Sequence, residues 1–518
     1  MQKKSYWVYA AATAVISLFL LITETRGFPL DDGWIHQTYA RSLAENGRWE
    51  YIPGIVSAGS TAPLWTMLLA VGYLLNLPPL GWSYFLGTLS LFLLLWAGMR
   101  LWRQLWPEFA SRDWLAGLLL LSSWPIIWAA NSGMETVLFI AVGLSILTLT
   151  TQFCNHRSRG FSRPAKASTP MKLIALLGFL SGILILIRPD GLLLLLLVTI
   201  TLAAQDGTMA ARAKRLALYG AMAALPLIPY LAFNLQTSGS IWPNTFYAKQ
   251  AEYALLLEQP LIGRTLQLLW LSWGGTAVSW QGMSAAHLLL LPGLFVSLWT
   301  AARRLWQEKI AALPFVIPLL WAFGHVALYG WRLPVTYQHG RYLLTATPIW
   351  ILYGLAGWLS IYARAGDGRF ARPLKLAGGL ILGLLSAVYL FLGAQAYAAD
   401  TAFIEHEMVA TARWVDDNTP PDALIAAHDI GAMGYFAKRP LLDLAGLITP
   451  DIIPYLDDMS AIEAYILASD ADYLVTAPGW PYEGVTMGET AVLQYSSNYE
   501  WTVEQGENNM AVYQLDKE

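Results

Sequence analysis

The chain has 518 residues, of which 56% are hydrophobic and only 13% charged, with 24 Trp and 25 Tyr. Soluble domains carry about 25% charged residues, so this composition excludes an ordinary soluble enzyme and reads as a polytopic α-helical membrane protein. A net charge of −3 argues against a nucleic-acid partner, which would need a basic face. The single cysteine, Cys154, excludes an intramolecular disulfide framework.

A transmembrane helix needs roughly 20 apolar residues. About eleven spans are expected, at 6–23, 81–99, 113–130, 136–152, 171–187, 191–204, 214–232, 284–300, 310–329, 342–361 and 374–397. The first reads as an uncleaved helix, because no small-residue cleavage site follows it. The stretch 63–77 is apolar but short and ends at Pro78-Pro79, so it reads as a helix at the interface. With 63–77 not crossing, most of the Lys and Arg collect on one side, among them Arg100, Arg103, Arg212, Arg303 and Arg304. The positive-inside rule assigns that side to the cytoplasm.

The outer side then receives a first loop at 24–80, short turns at 131–135 and 188–190, the segment 233–283, the segment 330–341, and everything after about 398. Leu261–Leu271 within 233–283 reads either as an amphipathic interfacial helix or as a re-entrant one. After residue 398 the chain becomes rich in Asp and Glu. Glu405–Asp417 and Ala461–Ala468 have helical spacing, and Ala423–Ala427 and Tyr473–Ala477 read as short strands. The predicted organisation is a membrane module, 1–398, followed by an extracytoplasmic α/β domain, 399–518.

Five outer groups could carry chemistry. Asp31-Asp32 open the first loop. A carboxylate beside a low-dielectric surface can serve as a general base, with its neighbour orienting it or capping the helix predicted over His36 to Glu45. Glu135 lies where a span begins, a costly place for an unpaired acid, and reads as a second acid or half of a divalent-metal site with Asp32. Arg188 sits in a turn between two apolar runs and could join an anion site. The run Trp242–Lys249 mixes aromatic faces, the Asn244 amide and the Lys249 ammonium, as a sugar-phosphate site would. His339 and Arg341 flank Gly340 at the head of a span and suit a lipid-linked phosphate. His325 reads as a core histidine.

No P-loop or G-x-G-x-x-G fingerprint appears, so an activated donor is expected to be lipid-borne and reached from outside. A lipid-linked sugar or polysaccharide transporter or flippase is the alternative. It would need a polar path through the spans, which the apolar runs flanking Arg188 do not offer.

These residues carry a resemblance. The stretches DDGWIHQTYARSLAENG (31–47), SAGSTAPLW (57–65), NSGMET (131–136), RPDG (188–191), PNTFYAK (243–249), HGRYL (339–343) and HDIGAMGYF…LLDLAGLITPD (428–451) resemble the GT-C superfamily of polyprenyl-phosphate-sugar-dependent glycosyltransferases. Within it they resemble the terminal arabinofuranosyltransferase-like branch. The resemblance implies an enzyme of the bacterial plasma (inner) membrane. It would transfer a sugar, a pentofuranose in that branch, with inversion from a polyprenyl phosphate to a hydroxyl of an envelope glycan, lipid or protein. It implies Asp32 or Asp31 as base, Glu135 as second acid, and Asn244, Lys249, His339 and Arg341 as donor ligands, with Arg188 nearby. It leaves a divalent metal on Asp32 and Glu135 open.

Overall fold

The computed structural model describes residues 3–158, 168–274, 285–366, 371–478 and 481–516. The basic residues Arg159, Arg163, Lys166 and Arg369, and positions 275–284 of the 233–283 segment, lie outside the described residues.

The chain opens with α1 (Lys3–Ile22), then α2 (Asp32–Asn46), a hairpin β1 (Glu50–Ile52) and β2 (Ile55–Val56), and α3 (Pro63–Leu74). There follow α4 (Pro79–Leu105), α5 (Asp113–Leu121), α6 (Trp124–Ala130), α7 (Thr136–Ser158), α8 (Ser168–Ile187), α9 (Gly191–Ala204) and α10 (Met209–Ser238). Next come α11 (Asn244–Glu252), α12 (Leu261–Gly274), α13 (Leu291–Glu308), α14 (Leu313–Arg332), α15 (Thr347–Arg364) and α16 (Ala371–Phe403). The eleven expected spans are helical over most of their lengths. Six helical stretches are long and apolar enough to cross a membrane, or seven if α5 and α6 count as one broken span. Two of the six, His287–Arg332 and Lys375–Asn418, contain more than one element, whereas α3, 171–187 and α9 are apolar but shorter. The protein is an integral membrane protein on this evidence.

One expected span differs. Residues 113–130 form two helices bent by 71°. The break falls at Ser122-Ser123, ahead of Trp124-Pro125. Proline fits the first turn of a helix and not its interior, because it lacks the N–H and crowds the preceding turn. Ser123 is accordingly extended.

The C-terminal part begins with α17 (Ala410–Asn418) and holds β3 (Ile425–Ala427), β4 (Leu441–Asp443), α18 (Met459–Ala468), β5 (Tyr473–Thr476), β6 (Ala491–Ser496) and β7 (Ala511–Leu515). Its strands make one sheet in the order β4-β3-β5-β7-β6. β3 pairs in parallel with β4 and β5, and β7 pairs antiparallel with β5 and β6. β3 is buried throughout, consistent with its short apolar run, Ile425-Ala426-Ala427.

A separate apolar core joins this domain to the first loop. Phe28, Trp34, Tyr39 and Tyr51 from the loop pack with Ile430, Met433 and Leu447 from the domain. The Trp34 ring meets Tyr435 and Phe436 at centroid distances of 4.8 and 4.7 Å. Tyr51 donates to the Ile430 carbonyl, and Arg41 donates to the Tyr435 carbonyl at 3.1 Å. The first loop and the C-terminal domain therefore pack as one body.

Candidate active site

The site is built outward from the start of α2. Asp31 occupies the N-cap position with helical dihedrals, and its side chain does not cap its own helix. Its two carboxylate oxygens accept from the backbone N–H groups of Gly431 and Ala432 at 2.6 and 2.7 Å. Those N–H groups open the helical turn 431–437 and would otherwise lack partners. A Cβ at Gly431 would overlap the Asp31 carbonyl oxygen, so the contact requires glycine. Burial and the nearby Asp429 push the Asp31 carboxyl up to about 7, against the pull of the two N–H groups.

Asp32 faces the other way. Its Oδ2 lies 2.6 Å from Arg341 Nη2. Burial alone would raise its pKa, but Arg341 and Lys249 outweigh that and hold it below the usual carboxylate value. Asp32 is therefore ionised at neutral pH. Lys249 bonds Glu252 at 3.0 Å. Burial disfavours its charge, yet Glu252 and the neighbouring tyrosines hold its pKa above the ordinary lysine value.

Asp32, Lys249 and Arg341 line a cavity of about 470 Å³ together with His36, Glu135 and Arg188. One side is the small-residue run Gly59–Thr61, pinned from two directions: Tyr230 donates to the Ser60 carbonyl at 2.9 Å, and Thr245 donates to the Gly59 carbonyl. Another side is apolar, with Leu192, Leu193, Leu196, Leu328 and Trp331. Leu447 of the C-terminal domain completes the lining.

A belt of ion pairs runs along the wall. Arg188 meets Glu135 at 3.5 Å and Asp190 at 3.3 Å, and Tyr329 joins both Arg188 and Asp190 at 2.6 and 2.9 Å. His36 Nε2 stands 3.4 Å from Glu135 Oε2, while its Nδ1 lies 3.3 Å from Thr66 Oγ1. Arg341 also donates to the Tyr342 hydroxyl at 2.9 Å, but its Nε and Nη1 are buried without a hydrogen-bond partner.

The structure thus gathers Asp32, Glu135, Arg188, Lys249 and Arg341 into one cavity and leaves out three residues expected there. Asp31 is turned to the C-terminal domain. Asn244 is buried at the start of α11, where its N–H bonds the Ala58 carbonyl at 2.9 Å, and it does not line the cavity. His339 lies elsewhere too, with Nε2 2.7 Å from Asp400 Oδ2 and its ring against Trp124 and Trp128. Left-handed backbone at His339 and Gly340, φ 54° and 67°, accompanies the divergence of the residue 339 and 341 side chains. Sequence reasoning missed His36 as a wall residue, although it stands four positions after Asp32 on α2, the spacing that puts two side chains on one helix face. It also missed Tyr329, whereas an ion pair of Arg188 with Asp190 within the 188–191 turn is one of the two readings of that turn from sequence and is present at 3.3 Å.

A divalent ion does not fit the pair Asp32 and Glu135 as placed. Each faces cationic or hydrogen-donating groups, Arg341 on one side and Arg188 with His36 on the other. Among the described residues no three His, Cys, Asp or Glu side chains gather to hold a metal.

Solved structures share this architecture. ArnT from Cupriavidus metallidurans, bound to undecaprenyl phosphate, is 15% identical with a TM-score of 0.58, covering 98% of this chain and 97% of that one. The archaeal oligosaccharyltransferase AglB from Archaeoglobus fulgidus, in complex with an inhibitory peptide and a dolichol-phosphate, is 10% identical with a TM-score of 0.58 over 92% of this chain and 70% of that one. Arabinofuranosyltransferase AftD from Mycobacteria is 13% identical with a TM-score of 0.51; the match covers 99% of this chain and 40% of that one. The chain has the fold of the GT-C glycosyltransferases. A family model described as a domain of unknown function, DUF8728, matches residues 396–513. No curated protein matches the sequence.

Proposed function

We propose that the protein is a polyprenyl-phosphate-sugar-dependent glycosyltransferase acting at the outer face of a bacterial plasma membrane, with inversion at the anomeric carbon. One observation carries this reading. In a single cavity Asp32 is held by one nitrogen of Arg341, while the other two nitrogens of that guanidinium are buried and unpaired. A guanidinium in this state can bridge a base and an anion, here a phosphate ester. Lys249 adds a second cation, and the apolar wall suits a polyprenyl chain.

In this reading Asp32 takes the proton of an acceptor hydroxyl. The hydroxyl oxygen attacks the anomeric carbon from the face opposite the phosphate. The bond from that carbon to the phosphate oxygen breaks, and the polyprenyl phosphate leaves with the bonding electrons. Arg341 and Lys249 stabilise the charge that grows on the leaving oxygen, the kind of fixed electrostatic support that lowers a barrier most. The acceptor is a glycan, lipid or protein hydroxyl, and the sugar is a pentofuranose by likeness to the arabinofuranosyltransferase branch.

The test is a transfer assay with a panel of synthetic polyprenyl-phosphate sugars, read by mass spectrometry. Transfer by the purified protein, lost in Asp32→Asn while donor binding persists, supports the reading. Full activity in Asp32→Asn refutes the role of Asp32, and no transfer from any donor refutes the activity.

A further inference from the structure

Glu135 is the acidic group on the cavity wall that carries a buried oxygen without a hydrogen-bond partner. Its side chain is only 5% exposed, and a buried carboxylate without good partners is costly. Yet Oε1 lies 3.5 Å from Arg188 Nη1 and Oε2 lies 3.4 Å from His36 Nε2. Both distances exceed the roughly 2.7–2.9 Å of a charge-assisted hydrogen bond, and Oε2 has no well-formed hydrogen bond, with His36 Nε2 its near donor at 3.4 Å. The cavity therefore offers two kinds of unused capacity at different places. Arg341 has spare donors and Glu135 has a spare acceptor.

A lipid phosphate can satisfy only the first. Its ionised oxygens accept hydrogen bonds and have none to give to Glu135 Oε2. A sugar joined to that phosphate carries hydroxyl groups, which can donate. A second cation is a poor match, because Arg188 already stands beside the carboxylate. We propose that Glu135, positioned by His36 and Arg188, accepts a hydrogen bond from one ring hydroxyl of the donor sugar and so selects donors that carry it. This rests on reading the cavity as a sugar-transfer site. A site built around a substrate hydroxyl rejects the analogue lacking it far more strongly than an apolar pocket does, since the buried polar group is then stranded.

The experiment uses polyprenyl-phosphate donors that each lack one hydroxyl, built on the parent sugar that the full-length protein transfers best. For one deoxy donor, kcat/KM in the wild type falls at least about 100-fold below the parent, with the others falling less than about ten-fold. In Glu135→Ala this discrimination shrinks at least ten-fold, because the parent donor loses rate and the deoxy donor does not. Glu135→Gln keeps the shape of the side chain without its charge and shrinks the discrimination in the same direction. It is the second variant if alanine prevents folding, with thermal melting in detergent reporting the fold. Deoxy donors all within ten-fold of the parent, or a preference unchanged in a folded Glu135 variant, overturn the proposal while leaving the transferase reading intact. Absence of transfer from every parent sugar instead defeats the activity itself.

Discussion

The carboxylates of Asp31 and Asp32 follow one another in the chain and serve opposite neighbours. Asp31 reaches Gly431 N, 400 residues away in sequence, at 2.6 Å, while Asp32 reaches Arg341 Nη2 at 2.6 Å on the cavity wall. The docking of the C-terminal domain and the position of the proposed base are thus set by one peptide unit.

Asp32→Asn keeps the size and most of the hydrogen bonding of the side chain but cannot take a proton. General-base catalysis contributes about 10²–10⁴-fold, so kcat falls by that factor with little change in KM. Single-turnover transfer assays check this directly.

Removing the cation beside Asp32 changes its proton affinity. In the wild type the carboxyl titrates below 3.8, so the base is lost only as pH falls through that lowered value. Arg341→Gln leaves burial unopposed by its strongest partner. The acid limb of the kcat/KM profile then moves to higher pH, by about 1–3 units for the loss of an adjacent arginine. An acid limb that stays in place in Arg341→Gln contradicts the assignment.

Asp31 gives the opposite sign. Its folded-state pKa of about 7 lies above the ordinary 3.8, so the folded protein binds this proton more tightly than the unfolded chain. Its contribution to stability is greatest below 3.8 and is lost as pH rises toward 7. Melting temperatures in detergent should therefore decline between about pH 4 and 7, and Asp31→Asn should flatten that slope.

Gly431→Ala places a methyl group where the Asp31 carbonyl oxygen already sits. Overpacking of this kind costs about 1–3 kcal/mol. Proteolysis of the 396–513 region should become faster, with the membrane helices unaffected.

Arg188 compensates two acids, Glu135 and Asp190, in a wall where its own side chain is 11% exposed. Arg188→Met removes the arginine from both, leaving Asp190 with Tyr329 and the more distant His325, and Glu135 with His36. Breaking a buried ion pair from one side costs about 3–5 kcal/mol, and adding Asp190→Asn should recover part of that loss. Chemical denaturation of the single and double variants measures the coupling.

Much of this was legible from residue patterns. The helix at α2, the short strands β3 and β5 and the helices α17 and α18 follow apolar spacing and turn residues. Glu135 stood out because a charge entering an apolar run needs a partner, Lys249 because it lies among aromatic and amide side chains, and Arg341 because it heads a span beside Gly340. What the pattern could not show was direction. A side chain turns by about 100° with each helical residue, and which of two adjacent acids faces the cavity depends on partners at 341 and 431. His339 was misplaced because three successive residues with positive φ, Gln338 to Gly340, turn the backbone there, a feature no charge pattern reveals. Strands β6 and β7 lacked a clean alternation; Val492 and Leu493 are exposed next to each other on β6.

The match of a family model to residues 396–513 gives the C-terminal domain the look of a detachable module. The contacts of Asp31, Arg41 and Tyr51 with its backbone describe a different unit of inheritance. A chimera that exchanged only residues 399–518 between related chains would pair those amides with a foreign loop. The exchangeable piece is discontinuous in sequence: it must carry Phe28–Tyr51 along with the domain.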